Sequence, residues 1–155
     1  MGLDEYWKKR KFKKISEPKG EMKKTGQNRF VVQEHHATRL HHDFRLEIPA
    51  SSEGGEWVLK SWAVPKGVPI EKEIKRLAVQ VEDHPVEYID FEGTIPEGEY
   101  GAGTVKIWDL GYYELIKRTS KEIEFTLKGK KLKGKYVLLY TGWKGKNSWL
   151  IFKTG

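Results

Sequence analysis

His41-His42-Asp43-Phe44-Arg45-Leu46-Glu47-Ile48 decides how this chain is read. Side chains alternate between the two faces of a strand, so one face takes His42, Phe44, Leu46 and Ile48, and the other takes His41, Asp43, Arg45 and Glu47. The first face suits a core. The second is costly to cover unless something binds it, because buried ionic groups need partners. His41 and Asp43, two positions apart on that face, can converge on one ion, and His35 is expected to add a third ligand from the preceding turn. Two imidazoles and a carboxylate suit manganese, zinc or ferrous iron and leave positions open for substrate or water. Arg45 beside them is the group that grips phosphoryl oxygens bidentately. The fifth histidine, His84 in Glu82-Asp83-His84-Pro85, falls at a strand end, where loops carry functional groups.

The same strand grammar recurs on both sides of this stretch. Short runs rich in Val, Ile, Tyr, Phe and Trp, bounded by Gly, Pro, Asn or Asp, predict strands over 29–33, 41–48, 56–64, 76–82, 103–109, 112–118, 122–127, 135–140 and 148–153. Helical spacing is expected only near the start. Closely spaced antiparallel strands dispose of their edges best by closing, so the expected fold is mainly β, a closed or nearly closed small antiparallel barrel with a short N-terminal helix and arm. Residues 1–27, with Pro18, Gly20 and Gly26, read as the helix and arm, and 28–155 as the barrel, within a single domain. The glycine-rich run from Pro96 to Gly103 lacks the Lys-Ser/Thr of a phosphate-binding P-loop and reads as a plain connection.

Charge narrows the partners. The chain of 155 residues carries a net charge of +7. Its basic residues gather at the two ends: Lys8, Lys9, Arg10, Lys11, Lys13 and Lys14 in one, and in the other eight lysines from Lys128 onward with no acidic residue. Clustered cations of this kind attract phosphate backbones. There is no cysteine, so a thiolate site and a disulfide framework are both excluded. The charged N-terminus and the lack of a long apolar run are those of a soluble protein away from the membrane, expected in the cytoplasm.

Several blocks together resemble the 3′-phosphoesterase domain of DNA ligase D: Phe30 to His35, His41 to Glu47, Ser61-Trp62-Ala63-Val64-Pro65-Lys66-Gly67, Lys75 to Val79, Glu82 to Pro85, Asp90-Phe91-Glu92-Gly93 and Gly101-Ala102-Gly103. The resemblance runs in order from about residue 5 to the C-terminus. It implies a small β-barrel hydrolase dependent on manganese, with other divalent cations admissible. Such an enzyme removes a 3′-terminal ribonucleotide and then the remaining 3′-phosphate, leaving a 3′-hydroxyl on a DNA primer-template for a polymerase or ligase of prokaryotic, nucleoid-based end joining. The resemblance places metal ligands at His35, His41 and Asp43, with Arg45, His84 and Tyr88 as catalytic groups on the scissile phosphate. It adds Gln33, Lys66, Arg76, Arg10 and Glu17 as substrate-binding residues, the last two from the arm. His42 stands where the family commonly has tyrosine, and it faces away from the metal.

His84 would act on the developing charge or as proton donor to the leaving oxygen, while the nucleophile stays open between a ribose 2′-hydroxyl and water. The length leaves no room for ligase or polymerase domains, so a standalone protein or an excised domain is expected, acting as a monomer. Two other readings compete. One is a ferrous oxygenase with His41, Asp43 and His84 as a facial triad, and the other is a non-catalytic nucleic-acid-binding barrel that needs no metal. Trp143, Trp149 and the C-terminal lysines could hold a nucleic-acid strand by stacking and charge, or equally be core and solvated surface.

Overall fold

Every predicted run except the arm becomes sheet. The computed structural model describes residues 3–10, 17–21 and 23–155. After a five-residue helix α1 (Asp4–Lys8), the strands are β1 (Arg29–His36), β2 (Leu40–Ser51), β3 (Gly54–Val64), β4 (Lys75–His84), β5 (Gly93–Ile95), β6 (Gly103–Arg118), β7 (Glu122–Lys128), β8 (Lys133–Tyr140) and β9 (Ser148–Lys153). Pairing runs β1-β2-β3-β4-β9-β8-β7-β6, and β6 returns to β1, which closes an eight-stranded antiparallel barrel. The short β5 lies outside the closed ring, on β6.

Alternation sets the two sides of the wall. Phe30, Val32, Phe44, Leu46, Ile48, Trp62, Phe125, Leu138 and Ile151 join one buried cluster to which all eight barrel strands contribute. The positions between them face outward, and part of this outer face is itself covered. Tyr6 of α1, with Tyr88, Ile89, Phe91 and Ile95, packs over Val31, Leu59 and Val105 in a second cluster. That second layer brings the N-terminal segment against the polar face of β2.

Three expectations need correction. The runs 103–109 and 112–118 are one strand, β6, because Gly111 is a close approach and not a turn: a Cβ there would lie 2.3 Å from the Lys128 carbonyl oxygen. A 3-10 helix, Val86–Asp90, and β5 were both missed, each too short to show a period. His35 is not in a turn. It lies within β1, one residue before its end, and pairs directly across from His41. Of the N-terminal basic run, Lys11, Lys13 and Lys14 lie outside the described residues. Among the described residues no helix is long and apolar enough to cross a membrane.

Candidate metal and phosphate site

The β1–β2 register sets His35 opposite His41 and Gln33 opposite Asp43 on the outer face. One ligand atom each from His35, His41 and Asp43 falls within 4.8 Å of the others. His84 is not part of that group, so the facial triad of the oxygenase reading is not formed. His35 Nε2 lies 2.8 Å from the Gly101 carbonyl, and His41 Nδ1 lies 3.2 Å from that of Arg39. A carbonyl only accepts, so these nitrogens carry the protons and the other nitrogen of each ring offers a lone pair. Those lone pairs face the same carboxylate, with His35 Nδ1 3.5 Å from Asp43 Oδ2 and His41 Nε2 3.2 Å from Asp43 Oδ1. Three acceptors turned toward one point can hold a cation between them, and the donor set fits a divalent transition ion.

The electrostatics agree. Burial would raise the Asp43 carboxyl, but the Arg45 charge, with the His35 and His41 rings turned toward it, outweighs this and holds the group far below the usual carboxylate range. The Asp43 hydrogen bond raises His41 above its ordinary value. The lone pair that takes a proton so readily is the one a metal ion would use.

Arg45 is buried and held from three sides. Its Nε donates to Gln33 Oε1 at 2.6 Å, Nη2 lies 3.5 Å from Asp43 Oδ2, and Nη1 lies 3.3 Å from His84 Nδ1. Gln33 in turn donates to the carbonyls of Tyr88 and Phe91, both at 3.0 Å, tying the 3-10 helix to the barrel. Gln33 is wholly buried and aims Arg45 from below. His84 sits between two guanidiniums, with Arg10 Nη2 3.4 Å from its Nε2. Burial, then Arg45 and Arg10, push it well below its ordinary value, so it is a neutral imidazole: Nδ1, 3.0 Å from the Glu82 carbonyl, carries the proton, and Nε2 accepts from Arg10.

The arm completes the wall. Arg10 donates to Glu17 Oε1 at 3.2 Å and Glu82 Oε2 at 3.1 Å, and its guanidinium rests on the Tyr6 ring at 3.9 Å. Tyr88 donates to Glu17 Oε2 at 2.7 Å, and burial, reinforced by Glu17, holds its hydroxyl well above the ordinary value. These groups line a cleft of about 300 Å³ containing Arg10, Glu17, His35, His41, Asp43, Arg45, Glu82, His84, Tyr88 and Tyr100.

Lys66 and Arg76, expected near the same pocket, line a different cleft, next to this one and sharing His41 with it. Arg76 Nη1 is occupied by the carbonyls of Lys66 and Gly67, each at 2.9 Å. His42 turns away as expected, its ring 4.6 Å from that of Trp108.

Sequence reasoning missed Tyr6, Glu82, Tyr100 and Gly101. Glu82 joins Arg10 across 72 residues, and no local pattern marks such a pair. The loop read as a plain connection does more: Gly101 orients His35, and Tyr100 donates to Glu82 Oε1 at 3.4 Å while accepting from Lys9 Nζ at 3.3 Å. The signal that could have found it is the sign change of φ at Gly98, Gly101 and Gly103, which demands glycine in a tightly turned loop.

The family model of the DNA ligase D 3′-phosphoesterase domain matches residues 33–140. The chain is 46% identical over 160 residues to the multifunctional non-homologous end joining protein LigD of Pseudomonas aeruginosa, an overlap of 97% of this chain and 18% of that protein. It is 48% identical over 145 residues to the LigD of Mycolicibacterium smegmatis, covering 86% of this chain and 18% of the relative. The chain therefore spans about a fifth of the length of these relatives.

Proposed function

Because the chain belongs to the DNA ligase D 3′-phosphoesterase domain family, we propose that it is a hydrolase of DNA 3′ ends that removes a terminal ribonucleotide and then the 3′-phosphate, leaving a 3′-hydroxyl for end joining. The observation that carries this reading is the convergence of His35, His41 and Asp43 on one point with the buried Arg45 guanidinium beside it. That donor set would hold a divalent metal ion, and manganese is the ion we assign. When bound it supplies Lewis acidity to the phosphoryl oxygens.

The chain's own groups do the rest. Arg45, already within 3.5 Å of Asp43, meets the negative charge that grows on the phosphoryl oxygens. His84, a neutral ring whose Nδ1 lies 3.0 Å from the Glu82 carbonyl and whose Nε2 faces Arg10, positions the two guanidiniums beside the same oxygens. Arg10, fixed by Glu17 and Glu82, adds a second guanidinium at the far side of His84. Tyr88 acts by holding Glu17, and through it Arg10. On this reading the N-terminal arm supplies Arg10 and Glu17, which finish the site built on the barrel.

The substrate is the 3′ end of a primer-template, and the partners are the ligase and polymerase activities that use the repaired end. This is the work of a cytoplasmic protein at the nucleoid. A labelled primer ending in one 3′-ribonucleotide, incubated with and without manganese, tests it. The reading requires conversion to a 3′-phosphate and then a 3′-hydroxyl only with the metal. An unchanged primer, or equal cleavage under chelation, would overturn it.

A further inference from the structure

A second cleft, of about 250 Å³, opens on the other side of His41. Its walls are apolar: Leu40 and Ile70, 54% and 53% exposed, with Pro65 and Trp108. Trp108 is thrown to this side by a bulge, since Val32 pairs with Asp109 and Gln33 with Ile107, leaving it without a partner on β1. Lys131 holds its ammonium 4.6 Å from the Trp108 ring centre. Lys66 and Arg76 also line the cleft, and among the described residues none of its lining side chains is acidic. The cleft is firmly built. Val68 N donates to His42 Nδ1 at 3.2 Å, and Arg76 fastens the Lys66–Gly67 backbone.

Exposed apolar side chains beside cations that lack a carboxylate mark a binding surface for something flat, apolar and anionic. His41 is the one lining residue shared with the phosphate cleft, so whatever lies here is continuous with a group held at the metal. We propose that this cleft holds the nucleotide immediately upstream of the scissile 3′ phosphate, its sugar and base against Leu40, Ile70 and Trp108 and its 5′ phosphate toward Arg76, Lys66 and Lys131. The inference rests on the phosphoesterase reading and deepens it: the enzyme recognises a strand and not merely a phosphate ester. Specificity at this point comes from apolar contact and charge, which are tolerant of base identity.

The test compares 2-deoxyribose 3-phosphate, which lacks the base, with a nucleoside 3′-monophosphate and with the same nucleotide carrying a 5′ phosphate, all with manganese. The nucleoside 3′-monophosphate should exceed the base-free ester in kcat/KM by at least about tenfold, the scale of one base packed on protein. Leu40→Ser with Ile70→Ser should raise KM for the nucleoside 3′-monophosphate about tenfold, and Lys131→Glu should do so for the 5′-phosphorylated one, each with kcat nearly constant. Equal kcat/KM for the base-free ester and the nucleoside 3′-monophosphate, or a loss confined to kcat in these variants, would overturn the second cleft while leaving the phosphoesterase reading intact. No hydrolysis of any of these substrates or of the ribonucleotide-ended primer would overturn both.

Discussion

Tyr88 and Glu17, 71 residues apart, are joined by a 2.7 Å hydrogen bond from the phenol to Glu17 Oε2. The Tyr88 hydroxyl proton is thus committed to the arm, and in the proposed function the residue acts on the phosphate through Glu17 and Arg10. Loss of one hydrogen bond to a charged group costs roughly 1.5–3 kcal/mol. Tyr88→Phe should therefore loosen Arg10. It should slow removal of the 3′-phosphate more than removal of the ribonucleotide, because the monoester carries the greater charge. Glu17→Gln should do the same, and the double variant should fall short of the sum of the singles by about 0.5–3 kcal/mol. Time courses on the ribonucleotide-ended primer read this directly, and full additivity would separate the two residues.

Arg45→Ala should keep metal binding and lose at least about a hundredfold in kcat on both steps, the scale of removing one group that stabilises developing negative charge. Manganese titration beside steady-state kinetics checks it. Loss of metal binding in this variant would remove Arg45 from the phosphate.

Glu47 accepts from Arg29 Nε and Nη2, both at 2.9 Å, and from the backbone N–H groups of Gln27 at 3.2 Å and Arg29 at 3.1 Å. Burial raises this carboxyl, but the Arg29 side chain and these backbone bonds together bring it below its ordinary 4.5. A depressed folded pKa gives stability that is present above the unfolded value and lost as pH falls through the folded one. Glu47→Gln should cost about 1–2 kcal/mol at pH 7. The difference from the parent should begin to shrink as the pH drops below about 4.5, the free carboxyl's ordinary value, and be lost as it falls through the lower folded value. Urea unfolding at several pH values measures both, and a difference independent of pH would refute the role.

Gly111→Ala should destabilise by about 1–3 kcal/mol, as overpacking does, because the new methyl meets the Lys128 carbonyl backbone. Chemical denaturation decides it, with an unchanged midpoint counting against the close approach.

What the sequence disclosed follows from the range of each interaction. His41, Asp43 and Arg45 were legible because the strand period alone puts them on one face, and their shared outer position in β2 follows from it. His42 was excluded by the same rule. The two buried layers were legible only in part: the inner one is written in Phe44, Leu46 and Ile48, whereas the outer one depends on Tyr6 meeting Val31 and Tyr88 from distant parts of the chain. Glu82 escaped notice because its partner Arg10 lies in the arm. Gly111 misled because glycine serves equally for a turn and for a close backbone contact, and the sequence does not distinguish them. Lys66 and Arg76 were expected near the same pocket, yet Lys66, in the turn after β3, and Arg76, at the start of β4, line the neighbouring cleft instead.

The central claim is that His35, His41 and Asp43 hold one divalent ion. Manganese titration followed by the paramagnetic signal of the free ion, on the parent and on Asp43→Asn, tests it most directly. The parent should bind one ion, and Asp43→Asn, with its circular dichroism unchanged, should lose that site because one of the three converging ligand groups gives up its charge. Asp43→Asn binding manganese as tightly as the parent would contradict it.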